Sequence, residues 1–206
     1  MRILPLFARA YLLDTPAGPL LVDSGMPQES RKLLRLLGDV RPAALLLTHH
    51  HLDHAGGARL LWELYRLPIY AHPLDIPYLS GRQRRPAFLP IPWLGDYIAN
   101  RIQPLPEEAL RPVEEAEEVL GWRVVHLPGH TPGQIGLLRQ GVLLAGDALR
   151  VGPRGPQPPP ALVNHDTREA RRTVEKIARL EVEAVFVGHG PPTTIGAVRT
   201  LAERLT

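Results

Sequence analysis

Residues 48–57 constrain this chain more than any other stretch, because His49, His51, Asp53 and His54 put four metal-ligand side chains within six residues. They follow an apolar run over 43–47 of strand length, so His49 and His51 share one side of an extended chain and can chelate one cation. His50, between them, points to the opposite side and is not read as a ligand. A turn into a helix puts Asp53 and His54 on its first turn, where they suit a second cation. Gly56 and Gly57 then let the backbone pass close to the site.

The remaining sequence has to present partners for those donors. With no cysteine among the 206 residues, thiolate sites and disulfides are excluded and any metal site is built from imidazole and carboxylate. A chain of this length fits one domain, 1–206, that buries roughly 70% of the surface its unfolded form exposes. Only Lys32 and Lys176 among the 24 basic residues are lysine, yet 21 acidic residues hold the formal charge to +3, so charge does not point to nucleic acid. The first residues are too soon interrupted by Pro5 for a signal sequence, and no apolar run approaches a bilayer crossing. The expectation is a cytoplasmic protein with a small-molecule substrate, no membrane and no nucleic-acid partner.

Taken in order, the apolar runs 3–13 and 19–23 predict a hairpin, and the second ends at Asp23, placed to accept a hydrogen bond from a ligand histidine. Pro27 and Gly38 bracket a helix over 27–37. A helix over 54–66 and a strand over 68–71 follow, with His72 closing the strand as a structural residue or as a support behind a ligand. Residues 73–118 read as an inserted lid, with Tyr78, Phe88, Trp93 and Tyr97 among Arg82, Arg84, Arg85 and Arg101. The strand 122–126 then runs into a proline- and glycine-fixed loop around His130. A hairpin over 134–139 and 142–146 delivers Asp147, a helix starts at Asp166, and the strand 184–187 stops at His189 before a closing helix over 195–204. His126 and His165 are read as structural or exposed rather than ligating, although the loop of His165 could reach the site.

Asp23, residues 48–57, the loop of His130, Gly146 with Asp147, and Gly188 to Gly190 resemble, in order, the five motifs of the metallo-β-lactamase superfamily, its glyoxalase II-like hydrolytic branch in particular. The resemblance spans residues 1–72 and 119–206. It implies an α/β fold, a four-layer αβ/βα sandwich of two mixed sheets, with a dinuclear site at one edge. Carried over by motif, His49, His51 and His130 hold one metal, Asp53, His54 and His189 hold the other, and Asp147 bridges them. Two divalent ions are implied, zinc first, with iron or manganese as the other choices.

Two such cations about 3.5–4 Å apart can share a hydroxide that is a nucleophile near neutral pH. The expected function is hydrolysis of a carbonyl compound, a thioester, ester or lactone, by that bridging hydroxide, with Asp53 as the catalytic carboxylate that orients it. Three alternatives use similar residues: a persulfide dioxygenase with one iron on two histidines and an aspartate, a phosphodiesterase or nuclease, and a non-catalytic metal-binding protein.

Overall fold

The computed structural model describes residues 1–86 and 102–205. Its backbone divides into two compact units, residues 1–113 and 114–206.

The first unit is built on one mixed sheet whose six strands lie in chain order: β1 (Arg2–Leu4), β2 (Ala10–Leu13), β3 (Leu20–Val22), β4 (Ala44–Leu46), β5 (Ile69–Ala71) and β6 (Leu110–Pro112). β1, β2 and β3 pair antiparallel, whereas β3 through β6 pair parallel. Parallel neighbours need a crossover, and each sequence gap supplies helix: a 3-10 turn at Pro27–Glu29 with α1 (Ser30–Leu37), then α2 (Leu52–Ala55) and α3 (Ala58–Tyr65), then α4 (Ile76–Leu79). β3 and β4 are buried at every residue, as expected of strands covered on both faces. Leu33 and Leu37 of α1 and Leu61 of α3 pack into a cluster with Leu21, Leu45, Leu47 and Ile69. Each such fully buried side chain stabilises by about 1.5–3 kcal/mol relative to an exposed one.

The second unit repeats the scheme with a different order, β14 (Thr193–Thr194), β13 (Ala184–Phe186), β10 (Val142–Leu144), β9 (Ile135–Arg139), β8 (Trp122–His126) and β7 (Glu118–Val119). Only β10 and β13 run parallel. A separate hairpin, β11 (Arg150–Gly152) with β12 (Gly155–Gln157), stands apart from the sheet. Two helices, α5 (Thr167–Ala178) and α6 (Ile195–Glu203), pack on one another. Val174, Ile177 and Val198 from these helices join Leu143, Val185 and Val187 in the core of this unit. The Asp166 carboxylate caps α5, accepting from Arg168 N–H at 2.8 Å and Glu169 N–H at 3.0 Å. Those contacts, led by the Glu169 N–H, hold its carboxyl below the usual carboxylate range. The whole is a mixed α/β fold with two mixed sheets.

Three sequence expectations change. The run 3–13 is two strands, broken at residues 5–9 where Pro5 lacks the donor a ladder needs. The helix expected over 54–66 starts at Leu52 and is interrupted at Gly56 and Gly57. Those glycines do not face the ligand cluster: a side chain at Gly56 would strike Pro27, and one at Gly57 would lie 2.6 Å from the Ser24 carbonyl, so they let α2 and α3 seat against the loop after β3. Of the segment 73–118, Phe88, Trp93, Tyr97 and Arg101 lie outside the described residues. Its described parts supply β6 and the buried Leu79, Ile102, Leu105 and Ala109. Among the described residues no helix is long and apolar enough to cross a membrane.

Candidate metal centre

In the first unit the donors follow β4 directly. Asp23 donates its N–H to the Leu46 carbonyl at 2.9 Å, which pins the end of β3 to the end of β4. Its φ of 61° is left-handed, a conformation that aspartate tolerates better than most residues and that costs energy at most others. That backbone aims the buried carboxylate at three donors. Thr48 N–H lies 2.8 Å from Oδ1, the Thr48 hydroxyl 2.9 Å from Oδ2, and His54 Nδ1 2.7 Å from Oδ2.

Proton bookkeeping then fixes two imidazoles. A carboxylate only accepts, so His54 carries its proton on Nδ1 and the Thr48 hydroxyl spends its proton on Asp23. The hydroxyl oxygen, 3.1 Å from His49 Nδ1, therefore accepts from that nitrogen. In both histidines Nε2 is left with the lone pair that a metal requires.

His51 sits at the start of α2 with extended φ/ψ, and its carbonyl accepts from His54 and Ala55 N–H at 3.1 and 2.9 Å. The three rings cluster, with centroids 4.7 Å apart for His49 and His51 and 4.1 Å for His49 and His54. Asp53, half-buried on the first turn of α2, has an oxygen 3.8 Å from His54 Nε2.

In the second unit three donors come from the ends of three strands. His130 follows β8 on a loop tied to the approach of α5: the Gly129 carbonyl accepts from Asp166 N–H at 2.9 Å and the His130 carbonyl from His165 N–H at 3.0 Å. Its Nδ1 lies 3.2 Å from the Asn164 side-chain oxygen, so Nδ1 donates and Nε2 again keeps the lone pair. Asp147 follows β10 in the 3-10 turn Gly146–Ala148, at φ −98° and ψ 15°. Its Oδ2 lies 3.7 Å from His130 Nε2 and 3.3 Å from His189 Nε2. His189 follows β13, and its carbonyl accepts from Val151 N–H of β11 at 2.9 Å. Gly190, at φ 115°, lets the Val151 carbonyl come where any Cβ would overlap it.

Each unit therefore gathers its own share of the expected ligands: His49, His51, Asp53 and His54 in the first, His130, Asp147 and His189 in the second. Asp23 lies against His54 Nδ1. The donor chemistry fits a divalent zinc, iron or manganese ion: imidazole nitrogens with the second nitrogen committed to a fixed acceptor, together with carboxylates. Thr48, Asn164 and Asp75 were missed by sequence reasoning.

Asp75 concerns His50, the histidine not expected among the ligands. His50 is buried, with Nδ1 2.9 Å from Asp75 Oδ2 and its ring stacked on Tyr78 at 4.2 Å. Arg85 Nε donates to the His50 carbonyl at 3.0 Å. Burial lowers the Arg85 guanidinium to about 10, against a partial upward pull from Asp75, and leaves it a cation at neutral pH. Burial, then the charge of Asp75, raises the Tyr78 hydroxyl. Of the other histidines, His72 Nδ1 accepts from Leu74 N–H at 3.3 Å, and His126 Nε2 donates to the Pro132 carbonyl at 2.9 Å. His165 is exposed, and its side chain is not needed for the backbone contact described above.

Residues 3–189 match the Metallo-beta-lactamase superfamily. Among similar proteins is the probable metallo-hydrolase YflN of Bacillus subtilis (strain 168), 31% identical, with 91% of this chain and 82% of that one covered. The hydroxyacylglutathione hydrolase of Alkalilimnicola ehrlichii (strain ATCC BAA-1101 / DSM 17681 / MLHE-1) is 32% identical, with 82% of this chain but 55% of that one covered. The crystal structure of TTHA1623 in a di-iron-bound form superposes with a TM-score of 0.74 at 35% identity, covering 94% of this chain and 92% of that one.

Proposed function

Because the chain belongs to the metallo-beta-lactamase superfamily, a family of metal-dependent hydrolases and related enzymes, we propose that it is a dinuclear hydrolase of a carbonyl compound. On this reading His49, His51 and His130 would hold one ion, Asp53, His54 and His189 would hold the second, and Asp147 would be a ligand to both. The metal is zinc, iron or manganese, and the di-iron-bound state of TTHA1623 is compatible with iron. The substrate is a small thioester, ester or lactone met in the cytoplasm, without membrane or nucleic acid. The match to a hydroxyacylglutathione hydrolase supports a thioester of the glyoxalase II-like kind.

The observation that carries the reading is the fixed tautomer of three histidines. Asp23 holds His54 directly and His49 through Thr48, and Asn164 holds His130, so each presents an Nε2 lone pair. When bound, the metal ions supply Lewis acidity and bring the acidity of water towards neutrality. Asp53, half-buried on the first turn of α2, orients the attacking water and takes its proton. The carbonyl substrate needs no serine or cysteine nucleophile from the chain, and no cysteine is present.

Elemental analysis after reconstitution with each metal, paired with a panel of thioesters, lactones, a β-lactam and phosphodiesters, tests this. About two ions per chain with turnover of a carbonyl substrate is the expected result. A single tightly held iron with oxygen consumption on a persulfide, or turnover confined to phosphodiesters, overturns it.

A further inference from the structure

We propose that Asp75 and Arg85 are positioning residues for the donor pair His49 and His51, acting by fixing the two peptide groups that join those histidines through His50. The inference rests on the metal-site reading above and concerns residues that reading leaves without a role.

The geometry is specific. The peptide between 49 and 50 is held by its N–H, which donates to Asp75 Oδ2 at 2.8 Å. The peptide between 50 and 51 is held by its carbonyl, which accepts from Arg85 Nε at 3.0 Å. A peptide group is a rigid plane, so pinning both planes fixes the φ and ψ of His50 and with them the relative direction of its neighbours' side chains. The His50 ring adds a third anchor, since its Nδ1 returns to the same Asp75 oxygen at 2.9 Å while its face lies on Tyr78 at an interplanar angle of 20°.

Asp75 is itself held. Its N–H donates to the His72 carbonyl at 2.9 Å, and its own carbonyl accepts from Tyr78 and Leu79 N–H, both at 3.1 Å, which locks it to α4. Both charged side chains are buried, Asp75 at 0% and Arg85 at 5% exposure. Burying two charges carries a desolvation cost that apolar packing between α4 and the sheet would not incur. What the charged pair provides, and leucines could not, is directional contact with both peptides of the ligand segment.

A network that merely fastens α4 to the sheet would lower stability when broken and leave the metal untouched, so the test reads the metal itself. The full chain is loaded with cobalt(II), and its visible d–d bands and affinity by chelator competition are compared in the parent, Asp75→Asn, Arg85→Lys and Val198→Ala. Asp75→Asn keeps the shape without the charge, and Arg85→Lys keeps the charge without the Nε donor. Both are expected to bind cobalt about 10–100-fold more weakly, with displaced bands. Val198→Ala, a core truncation in the second unit, is expected to lower the melting temperature and leave both readouts at the parent's values. If Asp75→Asn does not fold, Arg85→Lys decides alone. Parent-like bands and affinity in a folded Asp75→Asn or Arg85→Lys overturn the proposal. A parent that takes up no cobalt overturns the metal-site reading and this inference with it, and that measurement comes first.

Discussion

Replacing Asp23 by asparagine tests the chemistry of the first unit with almost no change of shape. The amide oxygen can still accept from Thr48 N–H, as Oδ1 does now at 2.8 Å. The amide nitrogen, however, would face His54 Nδ1 and the Thr48 hydroxyl, which lie 2.7 and 2.9 Å from the present Oδ2. Donor would meet donor at His54. The bond from His54 to a charged acceptor is lost, about 1.5–3 kcal/mol, the Thr48 hydroxyl keeps its 3.1 Å contact with Oδ1, and relief of carboxylate burial returns part of the loss. The net expectation is a loss of about 1–2 kcal/mol in the metal-free protein, read by denaturant unfolding. The left-handed backbone adds nothing to this figure, because asparagine tolerates it as aspartate does, whereas Asp23→Ala would add roughly 1–2 kcal/mol.

The metal effect is separate. Relieved of its acceptor, His54 moves its proton to Nε2 so that Nδ1 can accept from the amide, and the lone pair is withdrawn from the site. Zinc affinity in chelator competition should fall about 10–100-fold. Nitrogen-15 shifts of His54 in the metal-free protein report the tautomer directly. An unchanged zinc affinity, or a His54 still protonated on Nδ1 in the variant, would refute the tautomer argument even if stability fell as calculated.

Gly190→Ala places a Cβ into the Val151 carbonyl at a φ of 115°, so it should cost several kcal/mol and detach the β11–β12 hairpin from His189; a melting temperature within a degree or two of the parent would contradict the described approach. Asp166 titrates below its unfolded value, so its contribution to α5 is present above the unfolded carboxylate range and lost as pH falls through the native one. The gap in thermal stability between the parent and Asp166→Ala should therefore be full at neutral pH and close on acidification; a gap that persisted in acid would refute the carboxylate cap.

The strand ends were legible because chemistry and punctuation coincide there: Asp23, His49, Asp147 and His189 each follow an apolar run that stops at a polar residue or glycine. Periodicity failed where tertiary contact overrides it. The apolar run 3–13 hides the break at Pro5, and the leucine spacing of 54–66 hides the interruption that lets Gly56 and Gly57 pack on residues 24–27. The supporting side chains left no trace along the chain. Asp75 meets His50 across 25 positions and Asn164 meets His130 across 34, and a single aspartate or asparagine in a loop looks the same whether or not a histidine waits for it. Likewise β6 is too short and too polar, with Arg111 and Pro112, to announce itself as a sheet member.

The four donors of the first unit lie within six positions, 49 to 54, whereas the three of the second are spread from 130 to 189. That contrast outlives the native state. An unfolded chain keeps the first group at high mutual concentration, since closing a loop of a few residues costs little, and it disperses the second. Metal added during refolding thus meets a local chelator before any sheet exists. By mass action, an ion that also binds the denatured ensemble raises the melting temperature by less than its affinity for the native protein implies. Thermal shift alone would understate how tightly this protein holds its metal.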